Sequence, residues 1–324
     1  MNWDALFGRG SEQKQLARHG MATLAAYGLD NAKLHFVSDS ENVIFRVDAT
    51  SGPYVLRIHP PESKAKSTIL GELVWLDALR RETAIQVPKP VATSDGGLIH
   101  EIKLDNDPGP RSVVLFHWLP GELLGDHLNT GRVQQMGTIM ARLHNHGEQF
   151  VLPHGANRAA WEGNSLSALQ ADLEKSQDLS KSDLALCTSA IMRLENVMAG
   201  IETTQNHGMI HNDLHSWNCL LHEDEISIID FDDCQIGSFV EDIAITLNSF
   251  DEFPESESLC AALLKGYEQV RALPANFEAE VEAFITLRAL GLIRWVLSWP
   301  TINHQPFGPD MLENSLRRVK QYIE

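Results

Sequence analysis

Residues 211–218 read His-Asn-Asp-Leu-His-Ser-Trp-Asn, and residues 229–233 read Ile-Asp-Phe-Asp-Asp. Apolar residues at 219–221 and 226–229 enclose the polar turn His-Glu-Asp-Glu, so the chain between the two stretches is predicted to form a β-hairpin. This hairpin would bring the second stretch back toward the first. Polar side chains on short loops beside apolar strands are typical of a rigid scaffold that presents catalytic groups.

The two stretches contain the residue types that phosphoryl transfer requires. That reaction needs a carboxylate to orient the acceptor hydroxyl, oxygen ligands for Mg²⁺ and a cation to balance phosphate charge. Asp213 can act as the base, Asn218 can ligate the metal, and Asp230 at the end of the hairpin can be a second ligand. Mg²⁺ keeps several waters, so one amide and one or two carboxylates suffice. In order and spacing, these residues match the protein-kinase signature.

The rest of the chain changes its pattern partway along. Alternating apolar residues predict a second hairpin, with strands over 42–48 and 54–59. Further strands are predicted near 98–104 and 112–118. Amphipathic spacing predicts helices over 12–28, 63–81, 131–150, 183–203 and most of 258–324.

The two motifs resemble those of the aminoglycoside phosphotransferase/choline kinase superfamily of small-molecule kinases. The usual form there is His-Gly-Asp-Leu-His-x-x-Asn, followed by Ile-Asp-Phe-Asp-Asp. Upstream, residues 40–45 resemble the nucleotide-covering turn, residues 54–61 the second strand, and residues 115–121 the hinge beside adenine. The resemblance covers most of residues 35–245. Within the superfamily it is most similar to type II homoserine kinases and the stress response kinase A group.

The resemblance implies an α+β, two-lobed, protein-kinase-like fold. Residues 1–115 would form a small β-rich N-lobe that covers the nucleotide. Residues 116–121 would be the hinge connector. Residues 122–324 would form a helical C-lobe with the catalytic loop and the metal-binding hairpin. ATP is expected between the lobes, with adenine at the connector.

The resemblance also implies residue roles. Asp213 would be the catalytic base, and Asn218, Asp230 and Asp232 would bind Mg²⁺. Asp242, which follows the motifs, would brace the catalytic loop from below.

The nucleotide contacts implied by the resemblance come from the N-lobe and the connector. Arg57, paired with Glu72, would address the ATP phosphates. The other implied contacts are Ser40, Asn42, Phe116, Trp118 and Leu119. Two positions depart from the family pattern. Arg57 stands where Lys is more usual, and Arg binds phosphate with a different reach. Asn212 replaces the usual Gly, and Asn tolerates left-handed backbone angles better than most residues.

Composition excludes several classes of protein. The chain has 324 residues, a formal net charge of −18 and no Lys/Arg-rich patch, so neither nucleic acid nor an anionic membrane is an expected partner. No uncharged apolar stretch reaches the roughly 18 residues of a membrane span. The most hydrophobic segment, Phe284–Trp299, is interrupted by Arg288 and Arg294. The cysteines form no CxxC pair, which excludes a zinc ribbon and favours a reducing cytoplasm.

Other classes of protein could use some of the same residues. His211, Asp213 and His215 alternate, and such spacing can present ligands to Zn²⁺ or Mn²⁺ in a metal hydrolase. That interpretation leaves Asn218 and Asp230 without a role. A pseudokinase would normally have lost the base or a metal ligand, and all three are present. A P-loop kinase is excluded because the sequence has no Gly-Lys-Ser/Thr motif.

The predicted function is ATP- and Mg²⁺-dependent transfer of the γ-phosphate to a hydroxyl of a small molecule, such as an amino alcohol, a homoserine-like amino acid or a sugar. The alternatives are a Ser/Thr protein kinase of the stress response kinase type and a nucleotide-binding pseudokinase. The acceptor pocket is expected in the helical lobe, where Trp161, Trp217, Trp295 and acidic groups are available. An acidic wall would suit a cationic acceptor.

Overall fold

The computed structural model describes residues 12–39, 41–104, 107–160, 165–201, 206–298 and 308–324. The chain divides into two compact units. The first comprises residues up to 122 together with 151–158 and 220–232, and the second comprises residues 123–150, 159–219 and 233–324. Within the described ranges, no helix has both the length and the hydropathy that crossing a membrane requires.

The first unit is built on a five-stranded antiparallel sheet. Its strands are β1 Lys33–Asp39, β2 Val43–Ala49, β3 Gly52–Ile58, β4 His100–Ile102 and β5 Arg111–His117. Their order across the sheet is β1-β2-β3-β5-β4. The hairpin predicted over 42–48 and 54–59 is confirmed as β2 and β3. No sequence signal marks β1, an edge strand whose residues are alternately exposed and half-buried.

Two helices accompany this sheet. The first, α1 (Glu12–Thr23), continues into a 3₁₀ turn that ends at Gly28, whose φ of 70° is left-handed. The second, α2 (Lys66–Glu82), buries the predicted apolar stripe that includes Ile69 and Leu73. Glu72 lies on the same buried face, and a buried carboxylate requires a charged or hydrogen-bonding partner.

The hairpin between the two motifs is also confirmed. Strand β8 (Cys219–His222) pairs with β9 (Glu225–Ile228), and a short strand, β6 (Glu122–Leu123), pairs with β8. The two turn residues Glu223 and Asp224 have φ values of 49° and 67°, as a tight two-residue hairpin turn requires.

The second unit is mostly helical. Helices α3 (Thr130–Gly147) and α7 (Ser256–Glu268) pack closely at Gly137, where the absence of a side chain permits the contact: a Cβ there would collide with the carbonyl oxygen of Leu263. The unit also holds an antiparallel pair of short strands, β7 (His207–Ile210) and β10 (Gln235–Ser238), which the sequence pattern does not predict. The helices are α3 Thr130–Gly147, α4 Ser165–Lys175, α5 Lys181–Met198, α6 Phe239–Ser249, α7 Ser256–Glu268, α8 Phe277–Ser298 and α9 Gly308–Ile323.

Candidate active site

Asp242 anchors the loop that follows β7. Its Oδ2 accepts a hydrogen bond from the backbone N–H of His211 at 2.9 Å, and its Oδ1 accepts one from the N–H of Asn212 at 2.7 Å. Oδ2 also lies 3.1 Å from Nε2 of His144, and both side chains are fully buried. The loop is therefore fixed from below by one carboxylate, as the resemblance implied.

Asn212 occupies the position where the family usually has Gly. Its φ of 66° is left-handed, which Asn tolerates better than most residues. Its side-chain Oδ1 accepts a hydrogen bond from Nε2 of Gln235 on β10 at 3.0 Å. The replacement therefore preserves the loop and ties it to the neighbouring strand.

Each oxygen of the Asp213 carboxylate has its own partner. Nη2 of Arg288 donates to Oδ1 at 2.5 Å, and Nδ2 of Asn218 donates to Oδ2 at 3.1 Å. Nε2 of His215 lies 3.4 Å from Oδ2. Burial raises the pKa of Asp213, but Arg288 and His215 outweigh burial and hold that pKa well below its usual value. Asp213 is therefore a fixed carboxylate at neutral pH.

Asn218 presents an oxygen that suits a hard cation. Its Nδ2 donates hydrogen bonds to O and Oδ2 of Asp213 and lies 3.3 Å from Nε2 of His215. No residue in the described part of the chain donates to its Oδ1. Amide oxygens are among the ligands that Mg²⁺ accepts, so this side chain fits the predicted metal role.

A second polar cluster lies within the first unit, around the buried ion pair of Arg57 and Glu72. Nη2 of Arg57 donates to Oε2 of Glu72 at 2.5 Å and lies 3.8 Å from Oδ1 of Asp232. Burial raises the pKa of Glu72, and the Arg57 charge opposes that rise. The guanidinium group of Arg57 also stacks over the ring of Phe116, 5.1 Å from its centroid.

Asp232 is surrounded by donors from the same unit. Its Oδ2 accepts from Nδ2 of Asn42 at 2.8 Å and from Nζ of Lys64 at 2.7 Å. Burial raises the pKa of Asp232, but Arg57 and Lys64 outweigh burial and lower it well below its usual value. Its Oδ1 is buried, and no described residue donates a hydrogen bond to it. A buried carboxylate oxygen of this kind fits the predicted role beside a metal.

The other predicted site residues lie at the end of the hairpin, in the segment after β5, or outside the described residues. Asp230 is exposed at the end of the hairpin with a left-handed φ of 63°. Trp118 stacks under the guanidinium group of Arg46 at 4.6 Å, and Leu119 is half-buried in the segment after β5. Ser40 and Trp161 lie outside the described residues.

The structure adds residues that the motifs do not contain. The sequence contains one indication of Arg288, which is a charged residue within the most apolar segment of the chain. The sequence does not indicate Lys64 or Arg158, because each lies in an irregular segment without periodicity. Nη2 of Arg158 donates to the backbone oxygen of Asp232 at 2.7 Å.

A cavity of about 250 Å³ lies within the second unit, beside the anchored loop. Its polar lining residues are Asn212, Gln235, Glu241, Arg288 and Arg294. Glu241 is an acidic residue in this lining, and Trp217 and Trp295 are not among the residues that line this cavity.

Comparison with known proteins identifies the family. The model of the phosphotransferase enzyme family matches residues 34–278, so the chain belongs to this family. It is a kinase whose acceptor is an alcohol group.

Its relatives include kinases of small molecules. The homoserine kinase of Gluconobacter oxydans is 29% identical over 269 residues, which cover 80% of this chain and 78% of that protein. The amicoumacin kinase of Bacillus subtilis is 23% identical over 295 residues, which cover 87% and 85%.

The solved structure of a microcompartment-associated aminopropanol kinase superposes with a TM-score of 0.81 at 27% identity, covering 94% of this chain and 97% of that one. The predicted two-lobed, protein-kinase-like α+β fold is therefore confirmed.

Proposed function

We propose that this protein is an ATP- and Mg²⁺-dependent kinase that phosphorylates a hydroxyl of a small molecule. The observation that carries the proposal is the double restraint of Asp213, by Arg288 on one oxygen and by Asn218 on the other. A carboxylate held in this way orients the acceptor hydroxyl and receives its hydrogen bond. Catalysis of phosphoryl transfer rests mainly on such positioning and on charge neutralisation.

The proposal includes the residues that the sequence predicts to hold the nucleotide and the metal. Asn218, Asp230 and Asp232 offer the oxygen ligands, and Arg57 supplies a cation for the phosphates. Mg²⁺, when bound, would neutralise phosphate charge. Two observations support this assignment: Oδ1 of Asn218 and Oδ1 of Asp232 accept no hydrogen bond from any residue that the structure describes.

The size of the cavity favours a small acceptor. At about 250 Å³ it lies below the roughly 300–1,000 Å³ that drug-sized ligands occupy. The relatives named for homoserine and aminopropanol support an amino alcohol or a hydroxy amino acid as acceptor.

A coupled ADP-release assay with Mg·ATP and a panel of hydroxyl compounds tests the proposal. The panel contains homoserine, choline, ethanolamine, 1-amino-2-propanol, an aminoglycoside and a generic Ser/Thr protein. We expect one small acceptor to stimulate ADP release. Asp213→Asn should abolish the stimulated rate and retain Mg·ATP binding, whereas the exposed Asp178→Asn should match the parent protein. Full turnover by Asp213→Asn would contradict the proposal.

A further inference from the structure

The cavity in the second unit lies one side chain away from Asp213. Arg288 lines it and bonds to Oδ1 of Asp213, and Asn212, the preceding residue in the chain, lines it as well. A small molecule in this cavity would therefore lie next to Arg288 and Asn212, one side chain away from the carboxylate that would orient the hydroxyl. The selectivity of the cavity for an acceptor then depends on its other lining residues, which include Glu241 in its wall and Gly291 in its floor.

Glu241 contributes a carboxyl oxygen without a hydrogen-bond partner among the described residues to that wall. Only 8% of its surface is exposed, and its Oε1 accepts a hydrogen bond from Nε2 of Gln235 at 3.2 Å. Its Oε2 is buried and receives no hydrogen bond from the described part of the chain. A buried carboxylate oxygen without a donor is costly, and a ligand with N–H groups would remove that cost.

The cavity is also lined by two cations, but Arg288 is paired with Asp213 and Arg294 lies 3.9 Å from Oδ2 of Asp172, whereas Glu241 forms no ion pair with a described residue. Asp242, the next residue on α6, places a second buried carboxylate beside Glu241. Burial and Asp242 raise the pKa of Glu241 to about 8, and Arg288 opposes them. Glu241 therefore holds a proton in the free protein near neutral pH, and a bound cation would displace that proton.

Gly291 forms part of the floor of the cavity. It lies inside α8, yet a Cβ built on it would have no atom of another described residue within 4 Å. Gly within a helix is unfavourable relative to Ala, and no close contact with a described residue requires Gly at this position. Gly137 differs, because a Cβ there would collide with backbone. The absence of a side chain at Gly291 instead leaves space in the cavity.

We propose that Glu241 and Gly291 set acceptor selectivity: Glu241 binds a primary ammonium group of a small amino alcohol or hydroxy amino acid, and Gly291 leaves room for its carbon skeleton. This inference rests on the proposed kinase function.

Matched acceptors that differ only in the amine give the most direct test. The pairs are 3-amino-1-propanol with 1-propanol, 1-amino-2-propanol with 2-propanol, ethanolamine with ethanol, and homoserine with 4-hydroxybutyrate. We expect stimulation of ADP release by at least one amine-bearing member and by none of the amine-free members. An amine-free compound that works as well as its partner would overturn the inference. So would the failure of every amine in a protein that still binds Mg·ATP, whereas loss of Mg·ATP binding itself would refute the kinase function.

Substitution of Glu241 tests the ammonium contact. Glu241→Gln keeps the shape and removes the charge, and we expect KM for the amine acceptor to rise about 10-fold to 100-fold. KM for Mg·ATP should not change, and Glu278→Gln on the exposed face of α8 is the control. A purely structural Glu241 would leave the discrimination between amine and amine-free acceptors unchanged, and that result would overturn the inference.

Substitution of Gly291 tests the floor of the cavity. Gly291→Ala and Gly291→Leu should raise KM for the acceptor in order of side-chain size, without a fall in Tm. Ala279→Leu, at an exposed position of the same helix, should leave KM unchanged. An unchanged acceptor KM in both Gly291 variants would overturn the assignment of this cavity.

Discussion

Arg288 and Asp213 form an ion pair across 75 positions of sequence, with Nη2 2.5 Å from Oδ1. The other carboxylate oxygen receives Nδ2 of Asn218 at 3.1 Å. Because each oxygen has its own donor, the plane of the carboxylate is fixed before an acceptor binds. A preorganised group of this kind requires little rearrangement during the reaction.

Arg288 is therefore expected to be a positioning residue. Arg288→Gln should lower kcat by about 10-fold to 100-fold, because a carboxylate that can rotate no longer holds the hydroxyl in line. Arg288→Lys keeps the charge but loses the planar fork, so its kcat should be intermediate. Steady-state kinetics with varied Mg·ATP should show an unchanged KM for the nucleotide. The exposed Arg317→Gln is the control, and a parental kcat in Arg288→Gln would show that the pair is dispensable.

Asp242 should contribute to stability and to turnover together. Its two oxygens accept from two backbone N–H groups and face His144, and Asn can offer only one acceptor oxygen. Asp242→Asn should therefore lower the free energy of unfolding by about 1–3 kcal/mol, the cost of a buried donor left unpaired. Urea denaturation measures that loss, and kcat should fall because the loop loosens. Equal unfolding free energies for variant and parent would contradict the anchoring role.

The raised pKa of Glu241 should make the difference in unfolding free energy between Glu241→Gln and the parent protein depend on pH. Burial and Asp242 raise its pKa from 4.5 to about 8 against the opposing charge of Arg288, so the native state keeps a proton that the unfolded chain releases. Where the native state binds more protons, stability falls as pH rises, here between about pH 4.5 and 8. Glu241→Gln cannot ionise, so its stability relative to the parent should increase across this window, by of order a few kcal/mol in total. Urea denaturation at several pH values checks this, and a constant difference would contradict it.

The sequence predicts the parts of the site that lie close together in the chain. Asp213 and Asn218 are five residues apart on one loop, and their bond follows from that spacing. The hairpin before Asp230 follows from two apolar runs around a polar turn. Arg57 and Glu72 required the resemblance as well, because a strand residue and a helix residue share no periodicity.

Contacts between distant segments could not be predicted in this way. Arg288 reaches Asp213 only after α8 has packed against α6, and the only sequence signal is a charge inside an apolar stretch. The short strands β7 and β10 were missed because four residues each contain too few alternations to indicate a period.

Two glycines inside helices should respond in opposite directions to the same substitution. At Gly137 an added Cβ would collide with the carbonyl oxygen of Leu263, so Gly137→Ala should lower the free energy of unfolding by about 1–3 kcal/mol. At Gly291 the added Cβ would meet no atom within 4 Å in the part of the chain that the structure describes, so Gly291→Ala should raise the free energy of unfolding by up to about 1 kcal/mol through helix propensity. Urea denaturation of both variants measures the two signs. Because Gly291 also lines the cavity beside Asp213, its stabilising substitution should weaken acceptor binding, as expected where space for a ligand is kept at the expense of stability. Destabilisation by both substitutions would show that Gly291 is needed for packing and would remove the structural reason for placing a ligand above it.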